Sequence, residues 1–141
     1  MLNKRIVMKA RLSAFLFFLG FCSILNAQIM ITSEWYSYGI FNEETKEWDM
    51  LLVDEEEINV LSLFFDLNVM LLVNENLVQE FSILNSDSEK NKLTVTLKNE
   101  NKQDATLIID RKNKEAQLTQ LNSEGKLLLY LFYISEYSVE N

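Results

Sequence analysis

Four short runs between residues 92 and 134 constrain the fold of this chain more than any other feature. The runs are rich in β-branched, leucine or aromatic residues, and polar connections of four or five residues separate them. This spacing is typical of consecutive antiparallel hairpins. A sheet of this kind has a face to bury and edges to protect, so the earlier part of the chain must supply the rest of its core. The runs are residues 92–98, 104–110, 115–121 and 126–134.

The last of these runs is apolar on both sides of the predicted strand. Residues 127, 129, 131 and 133 would face one way and residues 128, 130, 132 and 134 the other, and all eight are apolar or aromatic. A strand of this kind belongs in the middle of a sheet or at the place where a sheet closes. Pairing with the first strand would complete a barrel and remove both edges.

The earlier part of the chain predicts further strands. Residues 29–41 read as a long first strand, bent at Gly39, and residues 47–53 pair back on it, with Trp48 near Ile40 or Tyr38. Residues 54–57 form an acidic connection in this interpretation.

The middle of the chain, residues 58–84, is open to two interpretations. Three apolar runs bounded by Asn, Asp or Glu predict strands at residues 58–65, 69–73 and 77–84. An amphipathic helix would fit part of the same spacing and would make the fold α+β. Because each run is short, we favour strands, followed by a surface loop at 85–91. The predicted fold is all-β: one domain, residues 28–141, with an antiparallel up-and-down meander of about eight or nine strands, closed or partly closed into a barrel.

The first 27 residues predict a secretory signal peptide. Four basic residues precede an apolar run, residues 12–25, and Ala27 offers a small residue at the cleavage site. Fourteen residues fall short of the roughly 18 needed to span a membrane as a helix. Lipid attachment at Cys22 is disfavoured because the bulky Phe21 precedes it. We therefore expect Sec-dependent export to the periplasm or the exterior, with no membrane span in the mature chain.

Composition excludes several function classes. After cleavage, nine basic residues would stand against 21 acidic ones, a net charge of −12, which disfavours nucleic acid as a partner. The chain has no histidine, and its single cysteine lies in the predicted signal peptide. Histidine catalysis, thiol nucleophiles and zinc–thiolate sites are thereby excluded from the mature chain. With three glycines and no Gly-rich motif, we predict no cofactor.

The carboxylates give no catalytic or metal-binding pattern. Residues 54–57 are four consecutive acids, whereas a calcium loop spaces its ligands and turns sharply at a glycine. A glycosidase would need two carboxyl groups facing each other across a groove, and the sequence singles out no such pair. We therefore predict neither a metal site nor an enzyme.

Aromatic residues concentrate in the first predicted hairpin. Trp35, Tyr38 and Trp48 are candidate ligand-binding residues, because exposed aromatic rings could stack on sugars or line the mouth of an apolar cavity. The alternative is that both tryptophans fill the core of a small barrel.

The chain resembles the small secreted lipocalin-like proteins. The resemblance rests on the predicted export, on Ser33-Glu34-Trp35 in the first strand and on the meander that ends at residues 127–134. It implies an up-and-down barrel whose cavity holds one small apolar ligand. Barrels of this size can also be filled by their own side chains. Two functions stay open: a non-enzymatic binding module for a small apolar ligand, or a structural or protein-interaction module with a solid core that uses an exposed face of the first hairpin.

Overall fold

A computed structural model describes residues 28–140, and the predicted signal peptide lies outside the described residues. Eight strands and one short 3₁₀ turn account for most of the described chain. Among these residues, no helix has the length and apolar character needed to cross a membrane. The strands are β1 (Ile29–Asn42), β2 (Glu47–Phe64), β3 (Val69–Val73), β4 (Val78–Glu89), β5 (Lys92–Lys98), β6 (Asp104–Asp110), β7 (Glu115–Leu121) and β8 (Leu127–Val139).

The strands form a closed antiparallel barrel in sequence order. Each strand pairs with the next, and β8 returns to pair with β1 from Ile29 opposite Val139 to Ile40 opposite Leu128. The predicted all-β, up-and-down fold is confirmed, and so is the position of the last strand at the closure. Closure gives the backbone of β8 a partner on each side. One face of β8 points into the core, where Phe132 is buried, and the other carries partly exposed apolar residues on the outer surface of the barrel.

Asn and Asp side chains organise the turns between strands. Asn42 Oδ1 accepts hydrogen bonds from the backbone N–H groups of Glu44 at 3.0 Å and Thr45 at 3.3 Å. Lys46 then adopts a left-handed conformation, with φ of 60°, before β2 begins. The same order recurs in three later turns, with Asn99, Asp110 and Asn122 as acceptors and Lys102, Lys114 and Gly125 at positive φ. Such Asx turns reverse the chain with a local side-chain hydrogen bond.

The predicted acidic connection at residues 54–57 is wrong. These residues belong to β2, which continues through a kink where Asp54 has φ of 50°. The Asp54 N–H donates a 3.0 Å hydrogen bond to Ser37 Oγ on β1, so the kink is held within the sheet. Two predicted strands therefore merge into one, and the barrel has eight strands.

The middle of the chain consists of strands, as favoured, and the helix alternative is wrong. The only helical feature between residues 58 and 84 is the 3₁₀ turn Phe65–Leu67. The predicted surface loop at 85–91 is also wrong, since β4 runs on to Glu89. Its polar residues are exposed but pair with β5 beyond a register shift between Ile83 and Asn85. Backbone pairing overrides a composition typical of loops.

Side chains fill the middle of the barrel. Alternate residues of β5, β6 and β7 point inward, as the alternation predicts, and all of them except the half-buried Leu93 are buried. A smaller apolar cluster around Val60 and Val73 lies on the outer face of β2 and β3. The largest fully buried side chains are Phe81, Phe132, Ile31, Leu61, Leu63, Met70, Leu97, Leu107, Ile109 and Leu118.

Candidate functional site

The two ends of the barrel carry different side chains. The upper end carries the turns at residues 43–46, 74–77, 99–103 and 122–126, and the lower end carries those at 65–68, 90–91 and 111–114. Arg111 covers the lower end: its guanidinium lies 5.9 Å from the Tyr137 ring centre, and its Nη2 donates to the Lys90 carbonyl at 3.1 Å. Aromatic and polar side chains line the upper end.

Aromatic side chains from β1 and β8 pack together near the upper end. The ring centres of Tyr38 and Tyr130 are 4.9 Å apart, and those of Tyr130 and Phe132 are 6.1 Å apart and stacked. Tyr36 lies 6.4 Å from Phe132. These four residues form the upper aromatic cluster, and they continue the apolar core towards solvent.

Glu57 on β2 is the carboxyl group beside this cluster. Partial burial raises the pKa of Glu57, the Tyr36 hydroxyl offsets part of that effect, and the negative charges of Glu75 and Glu55 raise the pKa further. Burial also raises the pKa of Tyr36, with a further contribution from the Glu57 charge. Partial desolvation disfavours the charged forms of both groups.

Amide side chains complete the rim beside Glu57. Asn59 is buried, and its Nδ2 donates to the Glu57 carbonyl at 3.3 Å. Asn74 Nδ2 donates to Asn59 Oδ1 at 3.2 Å, and Asn74 Oδ1 accepts from the Asn76 N–H at 2.9 Å. These hydrogen bonds link β2 to the β3–β4 turn in the region where β2 and β3 no longer pair.

Cavities of different sizes lie at the two ends of the barrel. A cavity of about 200 Å³ lies beside Glu57 and Tyr36, and one of about 210 Å³ lies between β4 and the β5–β6 and β7–β8 turns. A cavity at the lower end measures about 330 Å³, with Phe65, Leu93, Arg111 and Tyr137 among its lining residues. Sites for drug-sized ligands measure roughly 300–1,000 Å³. The lower cavity reaches that range, and so does an open cavity of about 570 Å³ between the β1–β2 and β7–β8 turns, which has Glu43, Glu44, Asp49 and Glu124 among its lining residues.

The outer surface of the first hairpin is apolar and partly exposed. On β1, Trp35 pairs with Tyr133 of β8, Ser37 with Leu131 and Gly39 with Leu129, so these residues share one face. Trp35 is 45% exposed and Met50 is 41% exposed, whereas Ser37 and Gly39 are buried between them. We call this surface the hairpin face: Trp35, Phe41, Trp48, Met50, Leu129, Leu131 and Tyr133.

Gly39 allows the hairpin face to pack closely. A Cβ at this position would lie 2.7 Å from Met50 Sδ and 3.1 Å from the Asp49 carbonyl oxygen. The Met50 side chain therefore folds over the glycine, and the pairing of β1 with β2 shifts register between Tyr38 and Gly39. The extra residue of this shift is Leu51 on β2, and β1 pairs with β8 without a shift at Gly39, so the bend of β1 stays a prediction while the close approach of Met50 is observed.

The upper part of β2 has a free edge. Residues 47–59 pair with β1 on one side, and pairing with β3 begins only at Val60. Within residues 28–140, no strand pairs with the other side of this segment. Its centre, residues 50–53, is apolar and exposed, with Leu51 57% and Val53 63% accessible. We call residues 47–53 the β2 edge.

The structure does not gather the predicted ligand-binding residues Trp35, Tyr38 and Trp48 at one place. Tyr38 belongs to the upper aromatic cluster, whereas Trp35 and Trp48 lie on the hairpin face. Trp48 packs edge-on against Phe41 at 5.2 Å, one residue beyond the expected pairing. The alternative in which both tryptophans fill the core is wrong.

The sequence analysis did not identify Tyr130, Phe132 and Glu57 as residues of the upper end. The alternation of Tyr130 with Phe132 on β8 placed both on one face, but only the pairing with β1 reveals that Tyr36 and Tyr38 meet them. Glu57 was hidden in a run of four acids, and its inward direction depends on the kink at Asp54. Among the described residues, no group of acidic side chains is arranged to hold a metal ion.

Comparison with models of protein families, with curated proteins and with solved structures found no match. The fold therefore defines a class, a closed eight-stranded up-and-down barrel, and the lipocalin-like resemblance stays a prediction. Function has to be argued from the surfaces described above.

Proposed function

We propose that this protein is an exported, non-enzymatic interaction module that binds a protein partner through the hairpin face and the adjoining β2 edge. In this proposal the closed barrel is a scaffold. The basic and then apolar residues 1–27 support export. The observation that carries the proposal is the continuity of the hairpin face with the exposed residues 50–53.

Isolated exposed apolar residues are ordinary, so their arrangement is what supports binding. Trp35 and Met50 are both more than two-fifths exposed on one face, and half-buried rings and leucines surround them. Aromatic residues and methionine are enriched at protein interfaces. Trp35 and Trp48, as rigid aromatic anchors, are the residues that dominate binding energy in such surfaces.

Site-specific photocrosslinking in the cells that make the protein tests this proposal. A photoreactive amino acid at Trp35 or Leu51 should yield the same crosslinked product, with the partner identified by its peptide masses. The control position is Leu84, which is 56% exposed on β4, away from the hairpin face. Equal crosslinking at Leu84, or none at the two hairpin positions, would contradict the proposal.

A second candidate function is the binding of a small apolar ligand. The cavity of about 330 Å³ at the lower end supports it, because apolar side chains form part of its lining, beside Ser86, Ser88 and the positively charged Lys92 and Arg111. Native mass spectrometry of the mature protein purified from its own cells tests this function. A reproducible extra mass that extracts into organic solvent supports it, and an Arg111→Gln variant should then lose that mass. A bare monomer mass counts against a tightly held ligand.

A further inference from the structure

We infer that the partner binds by adding an extended strand to the β2 edge, and that this strand is apolar at its centre and basic at its ends. The inference rests on the proposed function and specifies its partner. Such strand addition satisfies the backbone groups of an exposed sheet edge and selects partners through alternate side chains.

The backbone of the β2 edge supplies the first argument. Residues 47–53 are in strand conformation and pair with β1 on one side only. Unpaired N–H and C=O groups along such an edge are a template for another strand. The kink at Asp54 ends this edge after seven residues, roughly 23 Å at the usual rise per residue, and the register shift at Leu51 interrupts it.

The charge around the β2 edge supplies the second argument. Glu47 and Asp49 precede its apolar centre and four consecutive acids, residues 54–57, follow it, with no basic residue between 47 and 57. Opposite charges on paired strands attract and like charges repel. A strand with lysine or arginine at both ends therefore fits this edge.

The same charges disfavour a second copy of this chain as the occupant. An antiparallel pair of two β2 edges that aligns their apolar centres would set Asp49 opposite Asp54 and Glu47 opposite Glu56. Like-charge placement of this kind is a common way in which proteins prevent edge-to-edge association. The acidic residues therefore disfavour the pairing of two β2 edges and favour the pairing of this edge with a basic strand.

The two tryptophans make this binding measurable. Trp35 and Trp48 are the only tryptophans of the chain. Both lie on the hairpin face, and Trp48 belongs to the β2 edge itself. A suitable probe is a short peptide of alternating Thr and Val with two lysines at each end. A matched peptide with glutamates in place of the lysines, and a lysine peptide with alternate backbone amides methylated, are the controls.

Titration of tryptophan fluorescence and hydrogen exchange of the β2 amides test the inference together. The lysine peptide should change the fluorescence and slow amide exchange at residues 47–53, and both controls should fail. The double variant Glu47→Lys, Glu56→Lys should weaken the lysine peptide by about tenfold, since two charge pairs become repulsive. The control variant Glu80→Lys, in which an exposed acid on β4 is reversed, should not.

Several outcomes would overturn the inference. Equal binding of the glutamate or the methylated peptide, or binding without slower exchange at residues 47–53, contradicts strand addition by a basic segment. Failure of the lysine peptide to bind also contradicts strand addition. If crosslinking at Trp35 and Leu51 still identifies one partner, the proposed function survives that failure; if crosslinking also fails, both are wrong. A dimer that forms without peptide would identify a second copy as the occupant.

Discussion

The segment β5–β7 and the hairpin β1–β2 belong to one sheet, but they use its backbone differently. Strands β5, β6 and β7 have seven residues each, pair with one another without register shifts and bury alternate side chains. Strands β1 and β2 have 14 and 18 residues, shift register three times where they pair and leave part of β2 unpaired. Strands β5–β7, which we call the regular side, bury their side chains in the core. The hairpin β1–β2, which we call the hairpin side, exposes unpaired backbone groups and apolar side chains to solvent.

Truncating one leucine on the regular side and one on the hairpin side should give the largest difference in the free energy of unfolding. Leu107→Ala on β6 removes a fully buried side chain and should lower the free energy of unfolding by about 2–5 kcal/mol. Leu51→Ala on β2 removes an exposed one and should change it by less than about 0.5 kcal/mol. Denaturant unfolding measures both. Similar losses in the two variants would mean that the β2 edge is covered.

The kink in β2 depends on one side chain of β1. Ser37 is 2% exposed, and its Oγ accepts the Asp54 N–H. Ser37→Ala should destabilise the protein by about 1 kcal/mol and speed hydrogen exchange near Asp54, because a backbone donor loses its partner. Ser82→Ala, at an exposed position on β4, is the control and should be neutral. A neutral Ser37→Ala would show that the hydrogen bond does not hold the kink.

At one position of the β6–β7 turn, glycine should make the protein more stable than the natural lysine does. Lys114 has φ of 54°, a conformation that disfavours side chains with a Cβ. Lys114→Gly should therefore raise the free energy of unfolding by up to about 1 kcal/mol. Lys112→Gly in the same turn should bring no gain, because Lys112 is not among the residues at positive φ. Thermal unfolding of the two variants makes the comparison.

Glu57 should give the smallest and most pH-dependent effect. Because folding raises its pKa above the ordinary 4.5, the folded state binds a proton more tightly than the unfolded state. Stability should therefore fall as the pH rises from 4.5 through the folded pKa. Glu57→Gln should raise the unfolding temperature slightly at neutral pH, and the gain should vanish below pH 4.5. Glu80→Gln, at an exposed position, is the control, and a pH-independent gain would contradict this explanation.

The sequence predicts the regular side well because local signals agree there. In β5 and β6, alternation from Leu93 to Ile109 and the polar turn between the strands both point to a hairpin. The sequence predicts β2 and β4 less well. The kink at Asp54 and the continuation of β4 through Asn85 depend on backbone pairing with distant strands, which composition does not encode.

The candidate surfaces could be predicted only in part. The concentration of Trp35, Tyr38 and Trp48 in the first hairpin pointed to the correct region. Which face each ring occupies depends on register shifts between Ser33 and Trp35 and between Tyr38 and Gly39. The free edge of β2 could not be predicted, since it follows from the shortness of β3 rather than from any residue of β2.

Hydrogen exchange of individual amides in the unliganded protein tests the contrast between the two sides most directly. Amides in β5–β7 should exchange only when the whole protein unfolds, because both neighbours pair with these strands. Within residues 47–53, the amides directed away from β1 should exchange nearly as fast as in an unfolded chain. Uniformly slow exchange along β2 would contradict the account, because it would mean that this edge is already paired.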